Sequence, residues 1–220
     1  MADMGICNQA LALAGAKSQI TSIDEVSPEG HACRIYYDAT RIEMLMAVPW
    51  PFARRQVVLA QIDGEAEAGW GYTYLYPADC LKPIFILPEP VDIPQPFINL
   101  STVRDALDNM IYFVEGNRVD GYGNIQRVIS TDKAQARLMY VSDVTNGNIF
   151  SADFKALFTQ ALAAKLVMAL TGNLNASNLQ NTMAQQLLAR AAQIYKDEYD
   201  KDRKPVVCDL LPLGLACREG

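Results

Sequence analysis

The chain has 220 residues, half of them hydrophobic and a fifth charged, with a formal net charge of -6. That length suits one large domain or two small ones, at roughly 100–200 residues per domain, and supports a core that needs no disulfide or metal staple. The apolar fraction excludes a disordered chain, and an acidic balance argues against a general grip on nucleic acid, which requires a basic face.

A first helix is predicted over 4–14, with Asp3 as its N-cap and Gly15 closing it in a left-handed conformation. The next apolar stretch, 10–16, mimics a signal peptide, but no Lys or Arg precedes it and Asp3 is acidic. A second helix opens at Ser27, with Pro28 at its first position and Glu29 at the positive end of the dipole. Ala32, Ile35, Tyr36, Ala39, Ile42 and Met46 make its expected inner face, and Val48-Pro49 ends it. Trp70, Tyr72, Tyr74 and Tyr76 alternate, which puts all four aromatics on one face of a strand. Further strands are expected at 84–87, 111–114 and 138–141, with turns at Gly116-Asn117 and 121–124. Pro88, Pro90, Pro94 and Pro96 mark an extended loop. A β-rich insertion over about 57–142 follows from these signals.

Two long helices come next. Phe154, Leu157, Phe158, Ala161, Leu162, Leu166, Ala169 and Leu170 form an apolar stripe that Gly172 should end. Ser177 with Gln180 is a capping-box pattern for the following helix, whose expected inner face is Met183, Leu187, Ala191 and Ile194. The short link at 173–176 makes the pair antiparallel. The tail beyond Pro205 is apolar without helical periodicity. Val206, Val207, Leu210, Leu211 and Leu213 need a surface, on this subunit or on another chain. No segment approaches the ~20 uninterrupted apolar residues of a membrane span.

Chemistry is sparse. Cys7, Cys33, Cys80, Cys208 and Cys217 form no C-x-x-C pair, and His31 is the single histidine; free, reduced thiols and no zinc site are the simple reading. Asp24-Glu25 and Asp197-Glu198 read as solvated surface, since acid–base catalysis needs two carboxyls at a fixed separation. No G-x-S-x-G elbow or phosphate loop is present, and Gly69-Trp70-Gly71 and Gly121-Tyr122-Gly123 read as turns. Residues 61–79 contain no Lys or Arg, so the aromatic row favours core packing or a protein interface over base stacking. The mixed charges at 195–204 suit a solvated helix end, or a surface lining a channel or meeting a neighbour.

Several segments in order carry a resemblance. Ile6-Cys7-Asn8-Gln9-Ala10-Leu11 with Leu13-Ala14-Gly15-Ala16 is similar to the start of tail tubular protein A and related head-to-tail adaptors of tailed phages. Tyr37-Asp38-Ala39-Thr40-Arg41 leading to Pro49-Trp50-Pro51-Phe52-Ala53 continues it, as do Gly69-Trp70, Tyr74 and Tyr76-Pro77-Ala78-Asp79-Cys80-Leu81. Tyr140-Val141, Asp143-Val144-Thr145, Phe150, Phe154 and Ala161-Leu162-Ala163-Ala164-Lys165-Leu166 complete it. Pro51 departs from the pattern and should stiffen the link between Trp50 and Phe52.

The resemblance implies a virion protein of the phage tail or neck, assembled in the host cytoplasm. Members form a ring, commonly of twelve subunits, that joins the portal protein to the tail nozzle or tail tubular protein and lets genomic DNA pass without sequence-specific binding. The implied fold is α+β: a helical bundle (1–56 and 150–204, with N-terminal helices and two long antiparallel C-terminal helices), an inserted β-rich subdomain (57–149) and an extended C-terminal arm (205–220). Val206, Val207, Leu210, Leu211 and Leu213 would meet the portal or an adjacent protomer, by position only. Pro49, Trp50 and Phe52 with Trp70, Tyr74 and Tyr76 are the expected structural anchors. No enzyme activity, cofactor, metal or membrane is expected. An acidic lumen would let DNA slide, because like charge repels the duplex. A tail-associated cell-wall hydrolase and a small soluble binding module are the rivals.

Overall fold

The computed structural model describes residues 3–62, 66, 69–87 and 111–201, with 196–201 as helical backbone alone. The proline-rich stretch 88–96 and the arm 205–220 lie outside the described residues. Among the described residues the architecture is mixed α+β, with four α-helices and two three-stranded antiparallel sheets. The order is α1 (Met4–Leu13), α2 (Pro28–Ala47), β1 (Arg54–Val58), β2 (Tyr72–Leu75), β3 (Cys80–Leu87), β4 (Phe113–Val119), β5 (Ile125–Thr131), β6 (Arg137–Ser142), α3 (Ala152–Thr171) and α4 (Leu174–Lys201).

Local chemistry sets most helix ends. The Asp3 carboxylate accepts from the Gly5 and Ile6 N–H groups at the start of α1. At its end Gly15 adopts φ +78°, Gly15 N–H donates to Ala12 O and Ala16 N–H to Leu11 O. That pairing satisfies two carbonyls the last turn leaves open. Ser27 Oγ accepts from Gly30 N–H and Pro28 opens α2; Pro49 then holds Val48 extended. Gly172, at φ +63°, ends α3. The Ser177–Gln180 capping box is corrected: α4 already starts at Leu174, and the Asn173 side chain caps it by accepting from Ala176 N–H. Ser177 lies inside the helix and donates from Oγ to Ala164 O, 2.9 Å away on antiparallel α3.

α3 is the central helix. It packs against α1, α2 and α4 and is buried around most of its circumference, with Phe154, Leu157, Phe158, Leu162, Leu166 and Val167 inside. By length and composition it could cross a bilayer, but most of its surface is covered by its neighbours, the signature of a core helix. Ala169, expected on the inner stripe, is exposed.

Two other inner faces are also corrected. On α2 the core receives Cys33, Tyr37, Met44 and Leu45, whereas Ile35, Ala39 and Met46 face outward. On α4, Ala184, Leu188 and Ala191 turn inward together with Leu187, while Met183 and Ile194 are exposed. Both helices carry apolar residues on more than one side, and packing against α3 selects the face.

The sheets have the orders β1-β6-β3 and β2-β5-β4. β6 is the pivot: Leu138 and Tyr140 point into a core shared with Tyr74, Ile86 and Ile129, whereas Val141 joins the helical core. One sheet therefore lies between the helices and the other sheet. β3 is an edge strand, and its Pro83 is accommodated by irregular register on both sides, since Pro lacks a donor for a central ladder. Three strand expectations change. β1 begins at Arg54, ahead of the expected boundary at 57; β5 carries no clear alternation and was not expected; and Gly116-Asn117 lies within β4 rather than at a turn. The β4–β5 turn does fall at 120–124, where Gly123 has φ +85° and the Asp120 carboxylate accepts from the Tyr122 and Asn124 N–H groups.

Candidate functional site

Pro51 starts a single 3-10 turn (Pro51–Ala53) between α2 and β1. This short link drops Trp50 completely into the helical core. The indole Nε1–H donates to Met44 O at 2.9 Å. Its ring meets Phe154 edge-on at 5.2 Å and Tyr195 at 5.4 Å. Phe52 lies 5.2 Å from Phe154 and 5.7 Å from Phe150, and Phe154, Phe158 and Tyr37 extend the aromatic series to α2. Such edge-on and tilted pairs add to simple area burial. Pro49 stays exposed, its carbonyl accepting from Arg54 Nε. The covalent turn also fastens sheet to helices, because Ser142 Oγ donates to the buried Ala53 carbonyl at 2.9 Å.

A polar joint lies beside it. Arg41, 4% exposed, reaches from α2 to Asp143 and donates to Val144 O at 2.8 Å and to Asp38 Oδ1 at 3.1 Å. Asp143 N–H donates to Asp79 O at 2.8 Å. The Asp79 carboxylate accepts from Tyr140 Oη at 2.8 Å and pairs with Arg55 at 2.9 Å. Burial, then Asp79, pushes the Tyr140 hydroxyl up to about 12. Arg41, Asp79 and Asp143 thus join α2, the start of β3 and the end of β6. In the sequence Arg41 is one of two arginines in α2, and nothing local to it names its long-range partners.

The aromatic row is split. β2 spans only Tyr72–Leu75, and Trp70 and Tyr76 lie outside it. Tyr74 is fully buried, donates from Oη to Lys133 O and accepts from Ala136 N–H. Tyr72 and Tyr76 pack beside it against the same core. Arg127 stacks on the Tyr76 ring at 3.8 Å from its centre. Trp70 is half-buried ahead of the strand. Val206, Val207, Leu210, Leu211 and Leu213 lie outside the described residues.

Other groups capable of chemistry have structural surroundings. Cys7, Cys33 and Cys80 are buried free thiols. The Cys33 contact, followed by burial, drives the Cys7 thiol far above its ordinary range, and burial raises Cys80. Arg34 Nη2 lies 3.1 Å from His31 Nδ1, one turn away on the exposed side of α2. Among the described residues no three His, Cys, Asp or Glu side chains come close enough to hold a metal ion. A groove of about 480 Å³ runs between α2, α3 and α4, floored by Met44, Leu157 and Ala161 and bridged at its rim by Lys165 Nζ and Glu43 Oε2, 2.6 Å apart. Neither protein-family models nor curated proteins yield a match to this chain.

Proposed function

We propose that this chain is a non-enzymatic head-to-tail adaptor of a tailed phage. Many copies form a ring under the portal protein, provide the platform for the tail nozzle and surround the path of the DNA. The observation that carries the proposal is where the residues of the resemblance meet. Tyr37-Asp38-Ala39-Thr40-Arg41, Asp79 and Asp143-Val144 are distant in sequence, yet they form one joint through Arg41, Asp143 and Asp79. Trp50, Phe52, Phe150 and Phe154, from two further segments, form the aromatic joint beside it. Residues that set the relation of helices to sheets serve a protein that works by shape.

On this reading α1 to α4 form the bundle, the stretch from β1 to β6 is its β insertion, and the 205–220 arm docks on the portal or on an adjacent protomer through Val206, Val207, Leu210, Leu211 and Leu213. The test is the mass of the pure chain with and without portal, together with a chain lacking 205–220. A ring with portal, and a folded truncated subunit that no longer joins portal-bearing heads, support the proposal. A truncated chain that completes infectious particles overturns the role of the arm. A band cleared in a peptidoglycan gel, lost on one Asp or Glu substitution, overturns the non-enzymatic reading.

A further inference from the structure

The groove between α2, α3 and α4 follows one face of α4 from Ser177 to Leu188. Its floor is apolar: Met44, Leu157, Ala161 and Ala184 are buried beneath it, and Met168 is left 49% exposed. Among the described residues its lining holds two charged groups, Lys165 and Glu43, and these pair with each other. Asn178, Asn181 and Gln185 line its α4 side and are exposed. An amide side chain both donates and accepts, which matches it to a peptide backbone.

The chain that follows α4 has the chemistry and the length to fill this groove. Residues 202–204 are Asp, Arg and Lys; 205–217 carry one charge, Asp209, among Val206, Val207 and four leucines; Arg218 and Glu219 follow. A proline disfavours helical backbone at the residue before it, so Pro205 is where the chain can leave the line of α4. Along the helix axis Leu188 and Ser177 lie ~20 Å and ~36 Å back from Lys201. An extended chain advances ~3.3 Å per residue, so with one or two residues spent on reversing direction Leu211 and Leu213 fall ~26–36 Å back, over the groove. These two share one side of an extended chain. Because the segment is tethered to the helix that forms one wall, its contact is intramolecular and outcompetes a free ligand of the same chemistry.

We propose that, in the free chain, Leu211 and Leu213 seat in the α2–α3–α4 groove of their own subunit, with the amides of Asn181 and Gln185 meeting the backbone of the segment. The proposal does not rest on the adaptor reading. On that reading the same leucines meet the portal, and the groove is their place beforehand.

The test uses the full chain with Cys217→Ser, which leaves Cys208 as the thiol of the segment; Cys7, Cys33 and Cys80 are buried. Gln185→Cys is placed in one preparation and Arg190→Cys in another, both at exposed positions. Gln185 lines the groove, and helical geometry puts Arg190 about 140° around α4 from it. Arg190 is the nearer of the two to Lys201 along the axis, so a loose tether favours Arg190→Cys and a seated segment favours Gln185→Cys. Each preparation is treated, dilute, with a short bismaleimide, and linked peptides are identified by mass. An intrachain link from Cys208 to Gln185→Cys, at least about tenfold above that to Arg190→Cys, supports the proposal. Adding Leu211→Asp and Leu213→Asp should cut that link at least about tenfold, because those side chains supply the burial. Comparable yields at the two positions, no intrachain link, or a yield indifferent to the two leucines overturns the proposal. A link found between chains alone assigns the groove to a second copy and overturns it as well. None of these outcomes touches the adaptor reading, which the mass with portal decides.

Discussion

Replacing Arg41 by Ala tests whether the polar joint holds helices and sheets together. Three losses are expected. The Val144 carbonyl, 2.8 Å from Nη1 in a buried position, is left without that donor, which costs about 1–3 kcal/mol. The buried stem loses its packing, about 1.6 kcal/mol for the two methylenes that alanine lacks, at ~0.8 kcal/mol each. The carboxylates lose a cation, but Asp143 is 35% exposed and Asp38 75% exposed, so water replaces most of that interaction and the contribution is under about 1 kcal/mol. The sum is about 3–5 kcal/mol, a large fraction of the ~5–15 kcal/mol that stabilises a typical fold. Urea unfolding followed by tryptophan fluorescence should show a lower midpoint at unchanged slope. Arg41→Met, which keeps most of the stem, should lose about 1–3 kcal/mol. In a double-mutant cycle, Arg41→Ala and Asp143→Asn should couple by less than about 1 kcal/mol. If Arg41→Ala unfolds within about 0.5 kcal/mol of wild type, the joint does not perform the role argued for it.

Two further outcomes follow from backbone and titration. Gly172→Ala should destabilise by about 1–2 kcal/mol in the same assay, because φ is +63° while no atom lies within 4 Å of the added Cβ, so the effect is that of the left-handed backbone alone. Stability should fall as pH rises from about 10 to about 12: burial raises the Tyr37 and Tyr140 hydroxyls from 10.0 to about 12, so the unfolded chain releases those protons first. Their contribution is complete below pH 10 and lost above the folded-state values. Urea midpoints at pH 8, 10 and 11.5 read this directly, and a flat profile would refute it.

The helix ends were legible because capping is chemistry between neighbours: Asp3, Ser27-Pro28, Gly15 and Gly172 each act within one turn. The same locality explains the errors. Ser177–Gln180 has the form of a capping box, but Asn173, four residues earlier, takes that role because Gly172 reverses the chain so tightly that α4 begins at once. Gly116-Asn117 has turn chemistry, yet pairing with Arg127 and Val128 across the hairpin keeps it in a strand.

The sequence by itself determined that the chain is α+β, where most helices begin and stop, and that Trp50 and Phe52 sit at the hinge after the second helix. Tertiary structure alone decided which side of α2 is inside, since apolar residues line two of its faces and only packing on α3 chooses between them. It also decided that Arg41 meets Asp143, and that β6 runs between β1 and β3. Those contacts join residues far apart in the chain, and no local preference encodes the partner of a buried charge or the neighbour of a strand.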